Sequence, residues 1–185
     1  MAAALVLGLS ACKQQEATGD APATTESASL EALNGTWKAD LASIKFDGKP
    51  NEMVLKGGTY DCKTCIPPLT VAADGQFHPV ADRPYFDSIS VKEVDGRTVE
   101  IRRRKGEREV GSTTMQVSED GNALTTKFTN ATNPNVAPTK GTETARRAGP
   151  APAGAHAISG QWTPERIQDY SEDALTSPSA SPATR

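Results

Sequence analysis

The sequence predicts an all-β fold: an antiparallel meander forming a small barrel or sandwich, with tails at both ends. Three observations carry this expectation. From Phe86 to Phe128 apolar and polar residues alternate, as in Ile89-Ser90-Val91 and Val99-Glu100-Ile101, the period of strands with one face in a core. Turn-forming pairs, Asp95-Gly96, Lys105-Gly106 and Asp120-Gly121, recur at short intervals between these runs. Finally, 15 glycines and 13 prolines, against 5% aromatic residues, assign much of the 185-residue chain to turns and loops. Such core material supports one domain of about 110 to 120 residues plus tails.

Taken from the start, Ala2 to Leu9 is an apolar run too short to span a bilayer as a helix, and Leu9-Ser10-Ala11-Cys12 places small residues directly before a cysteine. This resembles the lipobox of bacterial lipoproteins, in which a leucine and two small residues precede the cysteine that is acylated and becomes the mature N-terminus. The resemblance implies a signal peptide over residues 1–11, lipidation of Cys12 and a membrane anchor. Several alkyl chains, at about 0.8 kcal/mol per buried methylene, make such an anchor effectively permanent. Lys13 rather than aspartate after the cysteine implies, in that family, sorting to the outer membrane of the cell envelope, facing the periplasm. No Lys or Arg precedes the apolar run, so the pattern calls for a start further upstream or for a segment that is not exported, such as a core helix with a buried cysteine. Residues 12–29 are almost devoid of large apolar groups and cannot offset the entropy of ordering, so they are expected to be a flexible tether.

The β domain is expected over residues 30–148. Gly35-Thr36-Trp37-Lys38-Ala39 reads as its first strand. A glycine two residues before a tryptophan at this place resembles the opening of the lipocalins and similar small β-barrels, and the resemblance implies that Trp37 packs across the barrel floor. Asp47-Gly48-Lys49-Pro50 is a turn by its chemistry, Glu52 to Lys56 a strand, and Leu69 to Ala73 another. Gln76 to Tyr85, broken by His78-Pro79 and Arg83-Pro84, is expected to be an irregular surface loop.

From here register can be assigned. A three-residue loop at Val94-Asp95-Gly96 pairs Val91 with Val99, Ile89 with Ile101 and Asp87 with Arg103. Turning at Lys105-Gly106 pairs Ile101 with Val110 and sets Arg102 and Arg104 against Glu109 and Glu107. Asp120-Gly121 pairs Val117 with Leu124, Met115 with Thr126 and Thr113 with Phe128, and the change of parity between Val110 and Met115 calls for a bulge at Gly111. Lys140 to Arg147 would add a last edge strand. Residues 149–155 are a proline and glycine linker, and Gly160-Gln161-Trp162 then restates the glycine and tryptophan of the opening. Thr163-Pro164-Glu165-Arg166 suits a helix start. Residues 156–185 are accordingly expected to begin a second module that is cut short, or else to fold back and complete the barrel, before ending in a disordered tail.

Function is far less legible. With 20 basic and 23 acidic residues the net charge is -3, which removes the field that would gather nucleic acid on the whole surface. Cys62-Lys63-Thr64-Cys65 is the strongest chemical feature after Cys12: outside the cytoplasm such a pair closes a small disulfide ring. The alternative is a periplasmic thiol-redox or metal-binding protein in which Cys62 and Cys65 act with His78, spaced like the first three ligands of a zinc finger. Redox use is weakened by Ile66-Pro67-Pro68, which forbids a helix continuing past Cys65. Arg103 and Arg108 fall on the apolar face of the meander, where two guanidiniums near a barrel mouth would bind a carboxylate or phosphate. Neither histidine lies in a motif for nucleophilic catalysis. The expectation is a non-enzymatic binding or structural module without a cofactor. It would hold a small apolar or anionic ligand or an envelope partner, with Trp37, Arg103 and Arg108 at the site.

Overall fold

The computed structural model describes residues 35–179; Cys12, the expected signal peptide and tether, and the last residues of the expected tail lie outside them. Twelve strands are defined among these residues: β1 Gly35–Lys38, β2 Asn51–Lys56, β3 Thr59–Cys62, β4 Leu69–Ala72, β5 Asp74–Pro79, β6 Ser88–Asp95, β7 Thr98–Lys105, β8 Arg108–Val117, β9 Ala123–Asn130, β10 Thr139–Gly149, β11 Gly160–Gln168 and β12 Thr176–Ser179. Ten of them form one antiparallel sheet in the order β4-β3-β2-β11-β10-β9-β8-β7-β6-β5. Its two ends, β4 and β5, are separated only by Ala73, so the sheet curls into a nearly closed barrel. The all-β meander expected from the alternation is the fold.

Register follows the turn chemistry where that chemistry is strong. Across β8 and β9, Val117 faces Leu124, Met115 faces Thr126 and Thr113 faces Phe128, the predicted pairs. Asp120 fixes that turn by accepting from Asn122 N at 3.1 Å and from Ser118 Oγ at 2.6 Å. The bulge near Gly111 is also present, since Arg103 faces Gly111 while Arg104 faces Glu109, leaving Val110 without a partner across the ladder.

The β6–β7 hairpin is tighter than predicted. Asp95 faces Thr98, and its carboxylate accepts from Arg97 N at 2.8 Å, closing a side-chain turn. Val91 therefore faces Ile101 rather than Val99, Ile89 faces Arg103 rather than Ile101, and Asp87 lies beyond the ladder, its carboxylate accepting from Gly106 N at 2.9 Å. Shifting by two residues keeps every side chain on its expected face. The bulge likewise moves Ile101 from Val110 to Thr113 and sets Arg104 against Glu109, although Arg102 still pairs with Glu109 through an ion pair.

Three expectations are corrected and one alternative is decided. Of the loop expected over Gln76–Tyr85, residues 76–79 belong to strand β5 and only 80–85 are irregular: Ser90 Oγ donates to Gly75 O at 2.9 Å, and β5 has only one ladder neighbour, a place where Pro79 is tolerated. The strand at Lys140–Arg147 is interior, paired on both sides by β9 and β11. Residues 163–166 are strand, not helix; a register irregularity beside Pro164 accommodates its missing N–H. And of the two alternatives for residues 156–185, β11 does not open a second module but folds back, inserting between β2 and β10 to complete the barrel begun at residue 51.

Trp162, not Trp37, forms the barrel floor. Trp37 lies on β1, which pairs with β12 in a separate two-stranded ribbon, and it is 53% exposed. Trp162 is wholly buried, its indole N–H donating to Ile158 O at 2.8 Å. Around it pack Leu55, Val91, Val99, Val117 and Ile158, none more than 2% exposed, each contributing about 1.5–3 kcal/mol by leaving water. Arg147 braces this floor from within β10, donating to the carbonyls of Gly121 at 2.6 Å and of Ser159 and Ala157 at 2.8 Å. Gly160 has no room for a side chain: a Cβ there would meet Gly149 O at 2.8 Å and Arg147 Nη1 at 2.9 Å.

Candidate functional site: the barrel interior

Strand alternation sends every second residue of the meander inward, and toward the end opposite the turns at 57–58 and 118–122 these side chains leave a cavity of about 300 Å³. It lies between the Trp162 floor and the loop closed by Cys62 and Cys65, both of which line it. Met53, Ile101, Met115 and Leu124 supply apolar wall. Tyr60, Arg103 and Glu143 supply polar groups, with Thr113 and Thr126 between them. A second cavity of about 280 Å³ shares Arg103 and Thr113 and extends under Tyr85 and Phe86 of the loop that follows β5. This form, an apolar concavity with a few convergent polar groups, is the usual one for a small-molecule site.

Arg103 projects from β7 at the junction of the two cavities. Its Nη1 donates to Thr113 Oγ1 at 3.0 Å, and its guanidinium stands 5.8 Å from the ring centroid of Phe86. Among the described residues no carboxylate pairs with it, and burial pulls its pKa below the ordinary arginine value. Tyr60, from β3, stays a neutral donor: burial pushes its pKa up to about 12, and its hydroxyl reaches Met53 Sδ at 3.9 Å. Glu143, from β10, faces the cavity with its carboxyl in no hydrogen bond or ion pair among the described residues, and burial raises its pKa.

The disulfide ring is where the spacing put it. The sulfurs of Cys62 and Cys65 stand at bonding distance, with Cα atoms 5.4 Å apart. The following loop is held by Arg83, whose guanidinium donates to Ile66 O at 3.2 Å, to Pro68 O at 3.1 Å and to Pro67 O. The covalent clasp thus forms part of the cavity wall, and the loop that follows it is held by an arginine clamp.

Other predicted site residues fall elsewhere. Arg108 is exposed at the β7–β8 tip and donates to Ala131 O at 2.5 Å and Thr132 O at 3.0 Å, because the bulge at Val110–Gly111 separates it from Arg103. Trp37 is on the ribbon, half exposed, and lines neither cavity. His78 stands on β5 with its Nε2 2.8 Å from Asp74 Oδ1, and among the described residues no three His, Cys, Asp or Glu side chains are grouped to hold a metal.

No family model matches the chain, and no curated protein or solved structure does either. The interior geometry is therefore what speaks for function.

Two groups escaped the sequence. Trp162 was visible as a second glycine-tryptophan pair, but the expected helix at Thr163-Pro164 hid its strand. Glu143 sits in Gly141-Thr142-Glu143-Thr144-Ala145, where neither face is apolar enough to reveal which residues point inward.

Proposed function

We propose that this chain is a non-enzymatic binding module of the bacterial cell envelope, anchored through a lipid on Cys12, that holds a small ligand with an apolar body and an anionic group inside its barrel. The observation that supports this most is the half-buried guanidinium of Arg103, which faces a largely apolar cavity of about 300 Å³ and has no carboxylate paired with it among the described residues. A cation removed from water needs a counter-charge, and an incoming carboxylate or phosphate would supply one while its apolar body lies along Met115 and Leu124. The lipid anchor rests on Leu9-Ser10-Ala11-Cys12, and oxidising surroundings outside the cytoplasm agree with the clasp at Cys62 and Cys65.

The test is displacement of a fluorescent naphthalene sulfonate from the full chain by octanoate. Arg103→Met is expected to lower octanoate affinity about tenfold or more, the worth of a charge-assisted hydrogen bond, while Arg108→Met leaves it unchanged. Equal effects of the two substitutions would place the ligand elsewhere. For the anchor, radiolabelled palmitate is expected to enter the wild-type protein in a bacterial host and not Cys12→Ser.

A further inference from the structure

We propose that Glu143 is a second recognition point and that the ligand is amphoteric: an apolar body bearing an anionic group on Arg103 and an amine, or another strong donor, against Glu143. This deepens the reading of the barrel interior as a ligand site and rests on it.

The argument begins with where the chain places its acids. Glu52, Glu109 and Glu165 each have a basic partner, in Lys63, Arg102 and Arg146 respectively. Glu143 does not. Its strand sends Gly141, Glu143 and Ala145 to the interior, and it stands across the ladder from Thr126, whose neighbour in turn is Met115. The two basic residues next along β10 are committed elsewhere, Arg146 to Glu165 on the outside and Arg147 to the floor carbonyls.

Arg103 has the opposite charge and lines the same cavity, yet the two do not form an ion pair. A charged pair kept for stability would close on itself, since each member is costly to bury alone. Here an acid and a base instead face one cavity, with Thr113, Met115, Leu124 and Thr126 on the two strands between theirs. That arrangement complements a molecule carrying the reverse charges at its two ends. Size is consistent too: the cavity equals about ten water molecules in liquid volume, at ~30 Å³ each, which suits a short chain with two polar ends.

The experiment is calorimetric titration of the full chain with octanoate, octylamine and ω-amino carboxylates graded from aminopentanoate to aminooctanoate. The best-fitting amino carboxylate is expected to bind about tenfold tighter than octanoate, the contribution of one charge-assisted hydrogen bond. Glu143→Gln, with folding verified by near-ultraviolet dichroism, is expected to erase that advantage. Amino carboxylates binding no tighter than octanoate, or Glu143→Gln weakening octanoate and amino carboxylate alike, would overturn the role of Glu143 while leaving the interior site standing. Failure of every probe to bind would overturn both.

Discussion

The guanidinium of Arg147 lies over the indole of Trp162, 4.0 Å from the ring centroid, so a cation and an aromatic face together seal one end of the barrel. Arg147 is the hinge of this plug, because its three carbonyl acceptors belong to two separate loops. Arg147→Met keeps the aliphatic stem and leaves those carbonyls without their donors. It is expected to cost about 2–4 kcal/mol in urea unfolding.

The two tryptophans should differ sharply. Trp162→Ala empties the floor and is expected to cost about 3–5 kcal/mol. Trp37→Ala, at a half-exposed position on the ribbon, should cost under about 1 kcal/mol, as surface substitutions do. Equilibrium unfolding of both variants checks the contrast.

Removing the clasp should affect both stability and binding. The ring joins residues three apart in sequence, and loop-closure entropy for so short a ring gives about 2 kcal/mol for the double variant Cys62→Ser with Cys65→Ser. Both cysteines line the cavity, so octanoate affinity is expected to fall as well. Thermal unfolding and displacement of the naphthalene sulfonate measure the two effects separately.

Glu143 gives a pH signature. Burial raises its folded pKa above the ordinary glutamate value of 4.5, so the protonated form is the one the fold favours. That stabilisation is present in full below the unfolded pKa and is lost as pH rises through the folded one. Glu143→Gln stays neutral throughout and is therefore expected to melt above the wild type at neutral pH, the difference closing as pH falls below 4.5. Melting curves across that range check the sign.

Arg83 clamps the loop after the Cys62–Cys65 ring through three successive carbonyls. Arg83→Met is expected to speed amide exchange in residues 63–68 and 80–87 while leaving β8 and β9 protected.

Much of the fold could be read from the sequence because its turns have explicit chemistry. Asp120-Gly121 fixed β8 against β9 to the residue, and the parity change located the bulge beside Gly111. At Asp95, where Gly96 does not take the positive φ that Gly121 takes, register slipped by two but the faces survived. Prolines misled most: Pro79 read as a break and Pro164 as a helix start, yet one lies on an end strand of the sheet and the other at an irregularity, where a missing N–H is harmless. The site was less legible. Arg103 could be assigned inward by alternation, whereas Arg108 was displaced by the bulge, and Glu143 lies in a strand whose threonines and glycine disguise its faces. The floor tryptophan depended on a pairing between residues more than a hundred positions apart, Trp162 with Asn51, which local patterns do not encode.

The most direct test of interior binding uses Trp162 as reporter. In Trp37→Phe it is the sole remaining tryptophan, it is sealed from solvent, and it borders the cavity. Titration with 8-bromooctanoate, whose bromine quenches only at contact, is expected to quench Trp162 saturably, and Arg103→Met should raise the half-saturation concentration about tenfold. Absent or unsaturable quenching, or quenching indifferent to Arg103, would contradict a ligand site inside the barrel.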